Sequence, residues 1–256
     1  MRIIVEKDYH AMSKKAALMV ASQITLKPDS NLGLATGGTP LVMYDKLIEM
    51  YREDEIDFSE VQTFNLDEYC GLEADHPNSY HYYMNDNFFK EINIKKENIH
   101  IPDGSAEDFR KECRDYEESI KNARGIDLQI LGIGSNGHIG FNEPAESLNV
   151  ATELVDLTEE TIAANSRYFE SEAEVPKKAI SMGMATILKT DRIVLLASGK
   201  NKAEAIKKAV SGKISTQEPA SLLQSHPQIT ILLDQEAASL INQEDLSADC
   251  HFEICE

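Results

Sequence analysis

Asn31-Leu32-Gly33-Leu34-Ala35-Thr36-Gly37-Gly38-Thr39-Pro40 decides how the chain is built. Residues 31–35 are a short, almost wholly apolar run, the composition of a strand covered on both faces. Glycines and threonines then turn the chain. Thr39-Pro40 supplies an N-cap followed by proline in a first helical turn, and the amphipathic stretch Pro40–Arg52 continues it. A strand that enters a helix through a glycine-rich turn is one unit of a parallel α/β sheet.

The same alternation extends in both directions. Apolar runs at Arg2–Glu6, Val61–Leu66, Asp127–Ile133, Ala179–Met182, Arg192–Ala197 and Ile229–Leu233 read as further strands. Helical patterns fall at Asp8–Thr25, Ala106–Ala123, Thr158–Phe169 and Lys200–Val210, and Ser105-Ala-Glu-Asp108 reads as a capping box. The expectation is one α/β domain over residues 1–241, a doubly wound, largely parallel sheet with helices on both faces. An acidic tail, 242–256, follows with no assigned role.

With 256 residues, 42% of them apolar, the chain can bury a substantial core. No run approaches the roughly 20 apolar residues of a membrane span, and the opening Met1-Arg-Ile-Ile-Val-Glu6 is a first strand rather than a signal peptide. Four cysteines without a CxxC pair suggest neither a disulfide framework nor a zinc ribbon. These features point to the cytoplasm. The net charge of −19 disfavours nucleic acid or an anionic membrane as partner. A small phosphorylated ligand needs only a local nest of donors.

In a doubly wound sheet ligands sit beyond the carboxyl ends of the strands, and three such ends carry chemistry. The amides of Gly37 and Gly38, with Thr36, Thr39 and the helix that follows, form an anion cradle. Asp67 and Glu68, in Phe64-Asn-Leu-Asp-Glu-Tyr69, are carboxylates where acid–base work needs them, although a cap or solvated turn would look the same. The third is Leu131-Gly-Ile-Gly-Ser-Asn-Gly-His-Ile-Gly-Phe-Asn-Glu-Pro144. Gly132, Gly134 and Gly137 spell G-x-G-x-x-G, and Asp156 lies about 20 residues on, as a dinucleotide fingerprint asks. That fingerprint also needs its last glycine to open a helix. Gly140, Asn142 and Pro144 read as loop instead. What the segment offers is His138 with Glu143 nearby, a pair suited to proton transfer near neutral pH. Arg167, Lys200 and Lys202 are cations near helix ends.

Thr36-Gly-Gly-Thr-Pro40, Phe64-Asn-Leu-Asp-Glu-Tyr69, Gly134-x-x-Gly-His-Ile139, Phe141-Asn-Glu-Pro144 and Ala164-Asn-Ser-Arg167, in that order, resemble the glucosamine-6-phosphate deaminase family from Met1 to about residue 240. The resemblance implies conversion of glucosamine 6-phosphate to fructose 6-phosphate and ammonium without metal or organic cofactor. It implies that Asp67 moves a proton between C2 and C1, with Glu68 a supporting neighbour. His138 would assist ring opening with Glu143 and Asn136, and Thr36–Thr39, Arg167 and Lys202 would hold the 6-phosphate. A sugar phosphate is then the partner, and the oligomeric state stays open.

Two departures from the family pattern stand out. Many members carry aspartate where this chain has Asn136, which can orient His138 but holds no charge. Hexameric members use a Ser, an Arg and a Lys after the Asn-Glu-Pro motif to bind an acetylated effector. The aligned Glu146, Glu153 and Val155 here would repel or ignore a phosphate, so no activation by N-acetylglucosamine 6-phosphate is expected. The rivals are a 6-phosphogluconolactonase-like hydrolase, which would not need the Asn-Leu-Asp-Glu or Asn-Glu-Pro segments, and a sugar-phosphate-sensing effector domain. The second normally carries a helix-turn-helix, for which strand one, beginning at Ile3, leaves no room.

Overall fold

A computed structural model describes residues 1–246 and 249–255. In chain order it contains β1 (Arg2–Glu6), α1 (Tyr9–Leu26), β2 (Asn31–Leu34), α2 (Leu41–Arg52), β3 (Gln62–Asn65), β4 (Asp67–Tyr69), α3 (Tyr80–Asn87), β5 (Ile99–His100) and α4 (Phe109–Asn122). Then follow β6 (Leu128–Leu131), β7 (Glu153–Asp156), α5 (Glu159–Asn165), β8 (Lys178–Ser181), α6 (Met184–Leu188), β9 (Ile193–Ala197), α7 (Ala203–Ala209), β10 (Ile229–Asp234) and β11 (His251–Ile254).

Eight strands form one parallel sheet in the order β11-β1-β10-β9-β6-β2-β3-β5. Side chains alternate across it. On β9, Ile193, Leu195 and Ala197 join a core with residues of α4, α6 and α7, whereas Val194 and Leu196 face one built with α1, α2 and α3. Two cores, one on each face, are what the apolar runs require. None of the described helices is long and apolar enough to cross a membrane.

Five local expectations are corrected. The strand expected at Ala179–Met182 lies outside the main sheet, because β8 pairs antiparallel with β4 and β7 in a three-stranded sheet of its own. Leu66 joins the two sheets, its N–H donating to Leu34 O (3.2 Å) and its carbonyl accepting from Met182 N (2.7 Å). Thr39 is not a helix cap: Pro40 holds that position without a side-chain hydrogen bond, and its carbonyl receives Tyr44 N at 3.0 Å. Ser105 does not cap α4. It donates to Asp103, and Asp108 accepts from Arg110 N and Lys111 N at 3.0 Å, so the helix starts at Phe109. The helix expected over Thr158–Phe169 stops at Asn165 and tightens into a 3-10 turn at Ser166–Tyr168, and Lys200–Lys202 is likewise a 3-10 turn before α7.

The acidic tail has structure. β11 adds to the edge of β1 in parallel, with His251 N donating to Met1 O (3.0 Å), Cys255 N to Val5 O (2.8 Å), and Arg2 paired with Glu253 at 2.8 Å. Phe252 packs on the core.

Candidate active site

The carboxyl ends of β9, β6, β2 and β3, neighbours in the sheet, lead into the segments that carry most of the expected residues. Beyond β2, Thr36–Thr39 wraps an open turn, with Gly37 at φ +90° where a side chain would strain the backbone. Tyr83 donates to Gly37 O (2.6 Å) and Tyr9 to Gly38 O (2.9 Å), so both carbonyls are already engaged. Gly37 and Gly38 are exposed. Past β9, Lys202 sits close enough to Arg167 that burial, with the guanidinium's charge added, lowers its proton affinity. Two positive charges therefore stand side by side past β9.

The β6 loop carries the histidine. Gly137, at φ +86°, opens no helix, and Ile139 and Asn142 close a tight bridge instead. The loop thus has the dinucleotide spacing without its geometry. Asn142 Nδ2 donates to Ile139 O (2.9 Å) and Met182 O (2.8 Å), and Phe141 N donates to Ser181 Oγ (3.0 Å), so β8 holds the loop in place. His138 Nδ1 lies 3.3 Å from Glu143 Oε2, an ion-pair distance without hydrogen-bond alignment. Asn136 Nδ2 donates to that same oxygen at 2.8 Å, and Asn136 Oδ1 receives His138 N at 3.2 Å. Thr161 Oγ1 donates to Glu143 Oε1. Burial works to raise the Glu143 carboxyl, but His138, Thr161 and Asn136 together hold it below the ordinary glutamate range.

Asp67 stands in the opposite regime. The chain turns at Leu66 into β4, placing Asp67 opposite Ser181 and only 7% exposed. A Cβ on Gly140 would stand 3.2 Å from Ser181 Oγ and 3.4 Å from Asp67 Oδ2, and its φ of +57° favours glycine, so the histidine loop lies against the aspartate. Burial, and then the charge of Glu68, pushes the Asp67 carboxyl up to about 8. One carboxyl raised and one lowered around the same histidine loop is the pattern of assigned acid and base roles.

Some members of the site carry no motif. Thr161, on α5, and Ser181, on β8, have no spacing that marks them. Tyr80, whose hydroxyl is hydrogen-bonded to Thr36, comes from α3, a helix without an apolar stripe. Only Ser79, which accepts Tyr82 N at 3.0 Å, announces that helix as a cap.

Acid–base groups on β4 and on the loop after β6, with a glycine-rich turn after β2 and two cations past β9 and α5, have the build of an enzyme for a small anionic substrate. Residues 6–231 match the family of glucosamine-6-phosphate isomerases and 6-phosphogluconolactonases, and the chain belongs to that family. It is 67% identical over 241 residues to the glucosamine-6-phosphate deaminase of Halothermothrix orenii, covering 94% of this chain and all of the relative. It is 63% identical over 246 residues to that of Thermoanaerobacter pseudethanolicus, covering 96% and 97%. A solved monomeric glucosamine-6-phosphate deaminase superposes with a TM-score of 0.91 at 50% identity, over 94% of this chain and all of that one. The 6-phosphogluconolactonase of Trypanosoma brucei shares the fold, at a TM-score of 0.74 and 16% identity over 94% and 98% of the two chains.

Proposed function

We propose that this chain isomerises and deaminates glucosamine 6-phosphate, giving fructose 6-phosphate and ammonium. The observation that carries the reading is the closure of the His138 loop onto a buried, high-affinity carboxyl, Asp67. The Thr36–Thr39 amides, Arg167 and Lys202 hold the phosphate, and binding energy spent there positions C1 and C2. His138, with Glu143 and Asn136, moves the proton that opens the ring. Asp67 then takes the C2 proton, leaving an enolamine, and returns it to C1. The resulting C2 imine adds water and releases ammonium. A base that must accept a carbon-bound proton benefits from a raised affinity for it, which burial gives Asp67.

The deaminase reading is favoured over the lactonase by relatives at 67% and 63% identity that bear the first name. Release of ammonium from glucosamine 6-phosphate, with unphosphorylated glucosamine as the control, tests it. Lactone hydrolysis without ammonium release would reverse the assignment. We further propose that the enzyme is not activated by N-acetylglucosamine 6-phosphate. Glu146 is exposed, Glu153 lies on β7, and neither offers a phosphate the charge it needs. A saturation curve that shifts left on adding the effector would refute this.

A further inference from the structure

Glu68 is the most completely buried carboxylate beside the site, with 1% of its side chain exposed. Its surroundings are all donors. Oε1 receives the N–H groups of Tyr69 (2.8 Å) and Tyr80 (2.9 Å), and Oε2 receives His81 N and His81 Nδ1, both at 2.9 Å. Tyr80 and His81 are the first two residues of the eight-residue helix α3, so the carboxylate sits on that helix's positive end. Three backbone N–H groups that only donate, together with the dipole, make this a carboxylate's site.

Resting on the assignment of Asp67 as base, we propose that Glu68 is a positioning residue for the proton transfer. It fastens β4 to α3 and keeps a fixed negative charge beside Asp67, so that Asp67 holds the proton taken from C2 until C1 receives it. The bookkeeping of the step is unchanged: the C2–H bond breaks, an Asp67 O–H bond forms and then breaks, and a C1–H bond forms. Glu68 never carries the proton, because its four hydrogen bonds are already received. The other titratable groups turned towards Asp67 are Tyr80 from α3 and Tyr116 from α4, both neutral phenols held far above neutrality by burial. Gly140 and Ser181, from the loop and β8, are uncharged. Glu68 itself is met by His81 and by the thiol of Cys70, which burial keeps protonated. Within this set Glu68 supplies the permanent negative charge.

The same geometry explains why Asp and Glu are adjacent in a strand whose neighbours point to opposite sides. Asp67 faces the loop of His138, and Glu68 faces the helix that anchors it.

The test is the pH profile of kcat/KM for ammonium release from glucosamine 6-phosphate. In the wild type the rate climbs with pH as Asp67 ionises. Glu68→Gln removes the charge and should move that acid limb down by about one pH unit or more, as the loss of a neighbouring carboxylate does. His81→Phe removes one donor, leaves the charge less neutralised and should move the limb up. A role limited to structure would lower the rate without moving the limb in either variant, and that result overturns the proposal. If Glu68→Gln fails to fold, the direction of the His81→Phe shift decides. Asp67→Asn separates this inference from the one beneath it. If an unmoved limb survives in its residual rate, Asp67 is not the base. If Asp67→Asn is inactive while the Glu68 and His81 variants keep the wild-type limb, only the role of Glu68 falls.

Discussion

Two carboxylate–histidine pairs in this molecule have the same chemical parts and opposite settings. Glu68 and His81 meet at 2.9 Å at the start of α3, with both carboxylate oxygens filled by donors and three of those donors in the backbone. Glu143 and His138 meet at 3.3 Å on a loop, and the hydrogen bonds of Glu143 go to Asn136 and Thr161 instead. A saturated pair has nowhere to send a proton. A looser pair, with the short hydrogen bonds given to neighbours, can tighten as substrate arrives. The first is suited to fixing a charge and the second to passing a proton. Asp67, between them in function, touches the surroundings of both.

The largest expected effect breaks the comparison at that shared residue. Asp67→Asn should lower ammonium release by about 10²- to 10⁴-fold, the usual contribution of a positioned acid–base group. Stability should move the other way. The folded carboxyl, at about 8, lies above its ordinary value of 3.8. Wild-type stability is therefore diminished progressively as pH rises from about 4 to 8, because the unfolded chain ionises first. The Asn variant escapes that loss, so its advantage in thermal unfolding should be absent near pH 3.5 and level off above pH 8. An advantage that shrinks with rising pH would contradict the burial of this carboxyl.

Gly134→Ala attacks the looser pair without touching its charge. A Cβ there would overlap the His138 ring, so the imidazole must move away from Glu143. A displacement of about 1 Å in such a group lowers the rate roughly 100-fold. Binding of fructose 6-phosphate should be retained, because the phosphate cradle lies on another strand end. Loss of both together would place Gly134 in the fold rather than in the site.

Glu143→Gln is milder, since glutamine can still accept from Asn136 and meet Thr161. The change removes a charged hydrogen-bond acceptor, about 1.5–3 kcal/mol, or roughly 10- to 100-fold in rate. The Glu143 carboxyl is depressed by its partners, so its stabilisation is present above pH about 4.5 and is lost as pH falls through the lowered value. Unfolding curves of wild type and variant should therefore converge in acid and separate towards neutrality. Separation that persists below pH 3 would mean the stabilisation comes from packing rather than charge.

Which parts of this picture could be read from the chain follows from how local each signal is. The strand-end motifs were legible because glycine, threonine and proline answer to backbone geometry within a few residues. Six strands of the parallel sheet were legible because burial on both faces leaves few polar positions. β4 was not, since Asp67-Glu-Tyr69 becomes a strand only by pairing with β8, more than a hundred residues away. α3 was hidden by its composition: Tyr80-His-Tyr-Tyr-Met-Asn-Asp-Asn87 buries only Met84. The pairing of Glu68 with His81 depended on both, so it was out of reach of spacing alone. β11 had a faint alternation, Phe252 inward and Glu253 towards Arg2, masked by the acidity around it.

That last strand supplies the smallest effect and the control for the rest. β11 and β1 form the edge of the sheet farthest from β3, with the site gathered on β9, β6, β2 and β3. Phe252 is half-buried against the core. Phe252→Ala should then remove about 1–2 kcal/mol, below the 3–5 kcal/mol of a fully buried phenylalanine, and lower Tm by about 2–8 °C. The kcat/KM for glucosamine 6-phosphate and its pH limb should stay within twofold of wild type. The His138 loop is pinned to β8 and the Glu68–His81 pair joins β4 to α3, whereas β11 pairs with β1 at the far edge of the other sheet. A shifted pH limb in this variant would mean that destabilisation alone can move it, and the readings given to Asp67 and Glu68 would lose their meaning.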